Sequence, residues 1–202
     1  MLELLRGKPA VRRGLSALSV LLLLGGIALV GYPFFTNVWQ ARLQSKLTRQ
    51  LDSPELEQAY RAGQVQTGDS LTRIRIPALD VDTVVVEGIT PSALRAGAGH
   101  YPQSPLPCDS GNVAIAGHRT TYGKPFGNLE RLKPGDQIEL TTPLGGCVYS
   151  LTKAPFIVEP TDLGVLDSTS DRTLTLTTCH PRGSAAQRLI VQARWTRTLT
   201  KS

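Results

Sequence analysis

The stretch Thr173-Leu174-Thr175-Leu176-Thr177-Thr178-Cys179 alternates polar and apolar residues and ends on a cysteine. Side chains alternate faces along a strand, so Leu174 and Leu176 share one face while Thr175, Thr177 and Cys179 share the other. Arg188 then opens a second strand-like run, Leu189 to Trp195, whose apolar face is Leu189, Val191, Ala193 and Trp195; Arg188 lies on the opposite face. If the two runs pair antiparallel, the connection His180 to Gln187 brings Cys179 and Arg188 side by side, with Cα atoms about 4.5–5.5 Å apart. Upstream, Asn112-Val113-Ala114-Ile115-Ala116-Gly117-His118 predicts a third strand with Val113, Ile115 and Gly117 on one face and His118 on the other. A thiol, an imidazole and a guanidinium at three strand ends are what acyl transfer through cysteine needs: a nucleophile, a proton carrier and a cation for the developing oxyanion.

Each group has rivals. His180 adjoins the nucleophile, so its side chain points to the other face if the strand continues, and Pro181 favours a loop role. His100 lies in a proline-rich loop, where a merely exposed histidine is the plain expectation. Arg182 sits in a Pro-Gly loop where its position is less fixed, and Arg194 lies farther along the strand of Arg188. Proton transfer and oxyanion stabilisation both need held geometry, which favours His118 and Arg188.

The chain has 202 residues and a net charge of +6. Much of the basic charge flanks an apolar run, with Arg6, Lys8, Arg12 and Arg13 before it and Arg42, Lys46 and Arg49 after it. The run, Leu15 to Phe35, carries no charged residue over 21 positions, enough to cross a bilayer as a helix. It is longer than the core of a cleaved signal peptide, and no clear A-x-A site occurs before Pro33, so an uncleaved anchor is expected. The basic cluster ahead of it predicts a cytoplasmic N-terminus and an extracellular C-terminal domain. No stacking aromatics interleave with the basic residues, so a nucleic-acid partner is not expected.

The expected organisation is a basic cytoplasmic tail (1–14), a transmembrane anchor (15–35), an extracellular spacer (36–68) with a helix from Val38 to Leu51, and a catalytic domain (69–202). Within that domain, eight strand candidates are Leu71–Ile76, Val81–Glu87, 112–118, Gln137–Thr141, Cys147–Lys153, Pro155–Val158, 173–179 and 189–195. His100 to Gly111 reads as a turn-rich loop, and helix is confined to short pieces near Ser92 to Gly97 and Phe126 to Leu132. The fold class is mostly β: an eight-stranded, closed or nearly closed barrel with short helices, behind the transmembrane helix. The three cysteines form no C-x-x-C pair, so a zinc site is not supported. Cys108 and Cys147 either pair, leaving Cys179 free, or stand as separate buried thiols; sequence alone does not decide.

TLTTC followed by Arg188, with Ala-Gly-His-Arg-Thr-Thr-Tyr-Gly ending at Gly123, resembles the sortase family of membrane-anchored cysteine transpeptidases of Gram-positive bacteria. The resemblance covers roughly Asp69 to Thr196. It implies a sortase-type barrel, Cys179 as nucleophile, His118 as proton carrier and Arg188 as oxyanion donor. It further implies cleavage of an LPXTG-type sorting signal between Thr and Gly, with transfer to an amine on a lipid-linked cell-wall precursor or another amine acceptor. The segments around Tyr122 and Cys179-His180-Pro181-Arg182 look most like class E, which is associated with an LAXTG preference and a tyrosine at the Tyr122 position; classes D and F share much of the pattern. Tyr122, Thr178 and His180 are the candidate substrate-binding residues. No cofactor is implied. Some sortases use calcium, but Glu159, Asp162 and Asp167 are too scattered to assign to it. No Asp-Pro-aromatic lid precedes the first strand, which disfavours pilin polymerisation. The competing readings are an L,D-transpeptidase-like or other cell-wall cysteine hydrolase, and a noncatalytic membrane-anchored β-domain.

Overall fold

The computed structural model describes residues 9–200. Arg6 and Lys8 of the expected basic tail lie outside them. The chain forms two compact units divided between Trp39 and Gln40. Helix α1, Pro9–Leu51, contains the apolar run, and its segment Pro9–Tyr32 is long and apolar enough to cross a membrane.

From Gln40 onward, the stretch expected to be a spacer packs on the second unit. Leu47 and Leu51 of α1 and Leu56 of α2 (Pro54–Arg61) form an apolar cluster with Val84, Val86 and Ala93. Gln44 reinforces it: its amide oxygen accepts from Val84 N at 2.8 Å and its nitrogen donates to the Ala96 carbonyl at 2.6 Å. Helix α2 starts where Ser53 Oγ accepts from Leu56 N at 3.2 Å, and Thr90 caps α3 (Pro91–Ala96) in the same way through Ala93 N at 3.3 Å. Both caps are followed by proline, whose fixed φ suits the first helical position.

The described residues contain nine strands: β1 Ser70–Ile76, β2 Val81–Glu87, β3 Ala98–His100, β4 Asn112–Ala116, β5 Gln137–Thr142, β6 Gly145–Leu151, β7 Phe156–Val158, β8 Thr173–His180 and β9 Gln187–Leu199. Eight of them close a barrel in the order β6-β5-β1-β2-β3-β4-β8-β9, with β9 returning to β6. The length of β9 allows this closure. Its first half carries β7, with Val158 opposite Arg188, and its second half carries β6, with Leu151 opposite Ala193.

The expected eight-stranded barrel is therefore present, but one member differs. The run at Pro155–Val158 contributes the outlying β7, and the eighth wall strand is β3, which overlaps the expected loop only at His100. Ala-Gly-His shows no alternation of its own; it is a strand because Gly99 lies against β2's exit, where a Cβ would collide with the Gly88 carbonyl.

Leu174, Leu176, Val113, Ile115, Leu189 and Val191 all fill the barrel interior, as the alternation predicted. Each such burial contributes roughly 1.5–3 kcal/mol. Trp195 departs from that pattern and is exposed, stacked by Arg172 with Cζ 5.5 Å from its ring centroid. The β6–β9 register runs unbroken from Ala193 opposite Leu151 to Trp195 opposite Tyr149 and slips only beyond it, where Thr196 is the extra residue of a bulge before Arg197 pairs with Val148. Cys108 and Cys147 form a disulfide, and Cys179 is free.

Candidate active site

Cys179 stands directly opposite Arg188 in the antiparallel β8–β9 ladder. On its other side β8 runs parallel to β4, with Ala116 opposite Thr177. Carried two residues further, this register sets His118 beside Cys179. Two hydrogen bonds extend the pairing past the strand's formal end: Gly117 N donates to the Thr177 carbonyl at 3.1 Å, and Thr178 Oγ1 donates to the Gly117 carbonyl at 2.7 Å. Imidazole, thiol and guanidinium thus belong to neighbouring positions on three adjacent strands.

His118 takes the outer face because Gly117 takes the inner one. A Cβ on Gly117 would stand 2.5 Å from the Phe126 ring, which is fully buried in the barrel. The threonine face of β8 is not open to solvent. Thr175 Oγ1 donates to Asn112 Oδ1 at 2.8 Å, and Thr177 Oγ1 lies 3.0 Å from the Tyr101 hydroxyl. The strand is buried from Leu174 to Thr178 and becomes partly accessible again at Cys179 and His180, so the thiol emerges at the end of a covered face.

Burial lowers the pKa of His118 below its ordinary value, and the positive charge of Arg95 lowers it further because both disfavour the imidazolium. The His118 and Tyr122 ring centroids are 5.2 Å apart, and Arg95 Cζ lies 5.8 Å from the Tyr122 centroid. Nothing in the sequence marks Arg95; helix α3 brings it to the histidine. Arg188 donates through Nη1 to the Ala185 and Gln187 carbonyls at 2.9 and 3.0 Å, which anchors its guanidinium on the loop leading into β9.

The other two arginines are committed elsewhere. Arg182, expected to be loosely placed, donates through Nη2 to Asn128 Oδ1 at 2.8 Å and to Glu130 Oε1 at 2.6 Å, and also to the Gly127 carbonyl. Arg194 lies opposite Thr173, 3.6 Å from Asp171.

His100 is not the exposed loop residue expected: it is 1% exposed, with Nδ1 2.8 Å from Glu87 Oε2. Its Nε2 lies 2.9 Å from both the Pro105 carbonyl and Ser104 Oγ. The order Ser104–His100–Glu87 resembles a hydrolytic triad, but the Ser104 hydroxyl donates to the Tyr101 carbonyl at 2.8 Å, which directs its proton away from the ring.

Of the three candidate substrate-binding residues, Tyr122 flanks His118. Thr178 is buried with its hydroxyl committed to Gly117. His180 turns away from the thiol and accepts from Arg119 Nη1 at Nδ1, 2.8 Å away. Arg119 and Glu130 escaped the sequence reading. The available signal was alternation, which puts Arg119, a charged residue, on the inward side shared by Gly117. Among the described residues no three His, Cys, Asp or Glu side chains gather in a way that could hold a metal ion.

A Sortase domain family model matches residues 74–196. Streptomyces coelicolor sortase SrtE1 is 33% identical over 144 residues, covering 64% of this chain and 41% of that protein. Bacillus subtilis Sortase D is 32% identical over 130 residues, covering 62% of this chain and 64% of that protein. The chain thus spans less than two thirds of the length of either relative. Among solved structures, a Clostridium perfringens sortase D5 transpeptidase aligns with a TM-score of 0.68 at 29% identity, covering 78% of this chain and 98% of its own.

Proposed function

This chain belongs to the sortase family, and from that premise we propose that it is a membrane-anchored transpeptidase acting on sorting signals of the LAXTG/LPXTG type. The observation that carries the proposal is the register: Cys179 opposite Arg188, with His118 on the continuation of the neighbouring strand.

In this reading the Cys179 thiolate attacks the carbonyl carbon of the signal's threonine. Arg188 donates hydrogen bonds to the resulting oxyanion; it cannot serve as a base because it stays protonated. The Thr–Gly bond breaks as the His118 imidazolium gives its proton to the departing glycine amine, leaving a thioester on Cys179. An acceptor amine, on a lipid-linked peptidoglycan precursor or an equivalent donor of a free amine, then attacks the thioester and loses a proton to His118. Tyr122 beside His118 supports the class E form of this activity, with alanine favoured at the second signal position. The N-terminus lies in the cytoplasm, α1 crosses the membrane, and the barrel works outside it.

The test uses full-length protein in detergent micelles with quenched LAXTG and LPXTG peptides, with and without an amine acceptor, beside Cys179→Ala. Thr–Gly cleavage that requires Cys179 supports the proposal, and the faster peptide assigns the class. A folded protein with a reactive Cys179 that cleaves neither peptide directs attention to peptidoglycan stem peptides and the hydrolase alternative. An unreactive Cys179 favours a noncatalytic β-domain.

A further inference from the structure

We infer that Arg119 is a positioning residue for the nucleophile, holding the Cys179 end of β8 against the Gly127–Glu130 segment through an arginine–glutamate–arginine bridge of which only Arg119 is buried. The inference rests on the transpeptidase reading for its activity assay, but the geometry stands apart from it.

Arg119 is 5% exposed. One of its nitrogens, Nη1, donates to the backbone carbonyl of Cys179 at 3.1 Å and to His180 Nδ1 at 2.8 Å. The other, Nη2, lies 3.2 Å from Glu130 Oε2. Glu130 Oε1 is bonded in turn by Arg182 Nη2 at 2.6 Å. One carboxylate therefore joins an arginine from the His118 side of the site to an arginine from the loop after Cys179. Both arginines help to depress the Glu130 pKa, against the opposing effect of burial.

The tie determines more than distance. A guanidinium only donates, so His180 must offer a lone pair at Nδ1 and carry its proton on Nε2. The His180 ring is thereby held in one tautomer, turned away from the thiol. Arg119 Nε is buried without a hydrogen-bond partner. A buried guanidinium with an unpaired N–H is costly compared with an apolar side chain of the same size, so stability alone is a poor account of this residue. It does supply rigidity where β8 leaves the barrel. The pairing of Cys179 with Arg188 lies next to the end of the ladder, His180 with Gln187, and strand ends fray unless tied. A nucleophile misplaced by about 1 Å costs on the order of 100-fold in rate.

The experiment compares full-length wild type with Arg119→Met, Arg119→Lys and Glu130→Gln in detergent. It measures kcat and KM for the sorting peptide, the rate of Cys179 alkylation by iodoacetamide, and the His180 tautomer from its ring ¹⁵N shifts. For folded Arg119→Met, the expected result is a kcat lower by roughly 10- to 100-fold with little change in KM, slower alkylation, and a His180 tautomer no longer locked on Nε2–H. Arg119→Lys recovers part of the rate, since one ammonium reaches only some of the partners. A folded Arg119→Met with kcat and alkylation within about twofold of wild type, or with a loss confined to KM, overturns the inference. If Arg119→Met does not fold, Glu130→Gln decides: it leaves the arginine but removes its anchor, and an unchanged kcat and alkylation rate there overturn the inference equally. If wild type cleaves no sorting peptide, the transpeptidase reading fails, while the alkylation rates and the His180 tautomer still decide the role of Arg119.

Discussion

Cys179 and Arg188 face each other across the β8–β9 ladder, while the Arg188 guanidinium is braced by the carbonyls of Ala185 and Gln187. If Arg188 is the oxyanion donor of the proposed reaction, a guanidinium held in place before substrate binds needs little reorganisation during it. Arg188→Ala is therefore expected to lower kcat by roughly 100-fold or more without lowering the unfolding midpoint, since the side chain lies outside the barrel core and is partly exposed. Arg188→Lys keeps the charge but loses the fork and should recover only part of the rate. Steady-state peptide cleavage beside thermal unfolding checks both; a rate loss that tracks unfolding would sink the assignment.

The pH dependence follows from His118. Burial and then Arg95 lower its pKa, so the imidazolium that would protonate the leaving amine is lost at a lower pH than for a free histidine. Arg95→Gln removes one repulsion. The His118 pKa should rise, and the high-pH limb of kcat should move to higher pH with it. An NMR titration of the His118 ring reads the shift directly, and a limb that stays put or moves down contradicts the role given to Arg95.

Gly117→Ala would set a methyl group against the Phe126 ring. Because Phe126 is fully buried and has little room to retreat, the variant is expected to lose about 1–3 kcal/mol. That corresponds to a fall of roughly 2–4 °C in Tm for each kcal/mol in a chain of this size, measurable by calorimetry. An unchanged midpoint would mean that the Phe126 ring moves aside freely.

Truncation distinguishes the apolar segment of α1 from its continuation. A chain beginning at Gln40 keeps Leu47, Leu51 and Leu56 on Val84, Val86 and Ala93, whereas one beginning at Asp69 exposes that cluster and strips Gln44 from β2. We expect the shorter chain to unfold at least roughly 10 °C lower or to aggregate. Equal midpoints would return 40–68 to the role of a passive spacer.

The Cys108–Cys147 disulfide closes a separation of 39 residues. Reducing it, or replacing both cysteines by serine in a Cys179→Ala background that prevents exchange, should cost about 2–4 kcal/mol. Urea denaturation with and without reductant checks this. No shift in midpoint would show that the barrel holds the Cys108 loop without the bond.

Much of the site was legible because a strand's period of two is local. Leu174 and Leu176 inward and Cys179 outward follow from L-residue geometry alone, and Gly117 before His118 follows the same rule. The eight-residue connection between Cys179 and Arg188 was short enough to imply their pairing. Trp195 shows where the rule lapses: it alternates in step with Ala193, but it lies past the end of the β8 ladder, which stops at Thr173 opposite Arg194, and its ring is exposed there. Strand β3 shows the opposite failure. Ala-Gly-His carries no strand signal, and only the neighbouring β2 and β4 make it one.

By itself, the sequence determined the faces: which side chains enter the barrel, which stretch is apolar enough for a bilayer, and which three groups stand at strand ends. Tertiary structure alone decided the neighbours. The parallel placing of β4 beside β8, the choice of Cys147 as partner for Cys108, the packing of α1's end on α3, and the reach of Arg119 to a carbonyl 60 residues away depend on register between distant segments. That register is set by closure of the whole barrel, in which each strand's position is fixed by its two neighbours, and no local pattern encodes it.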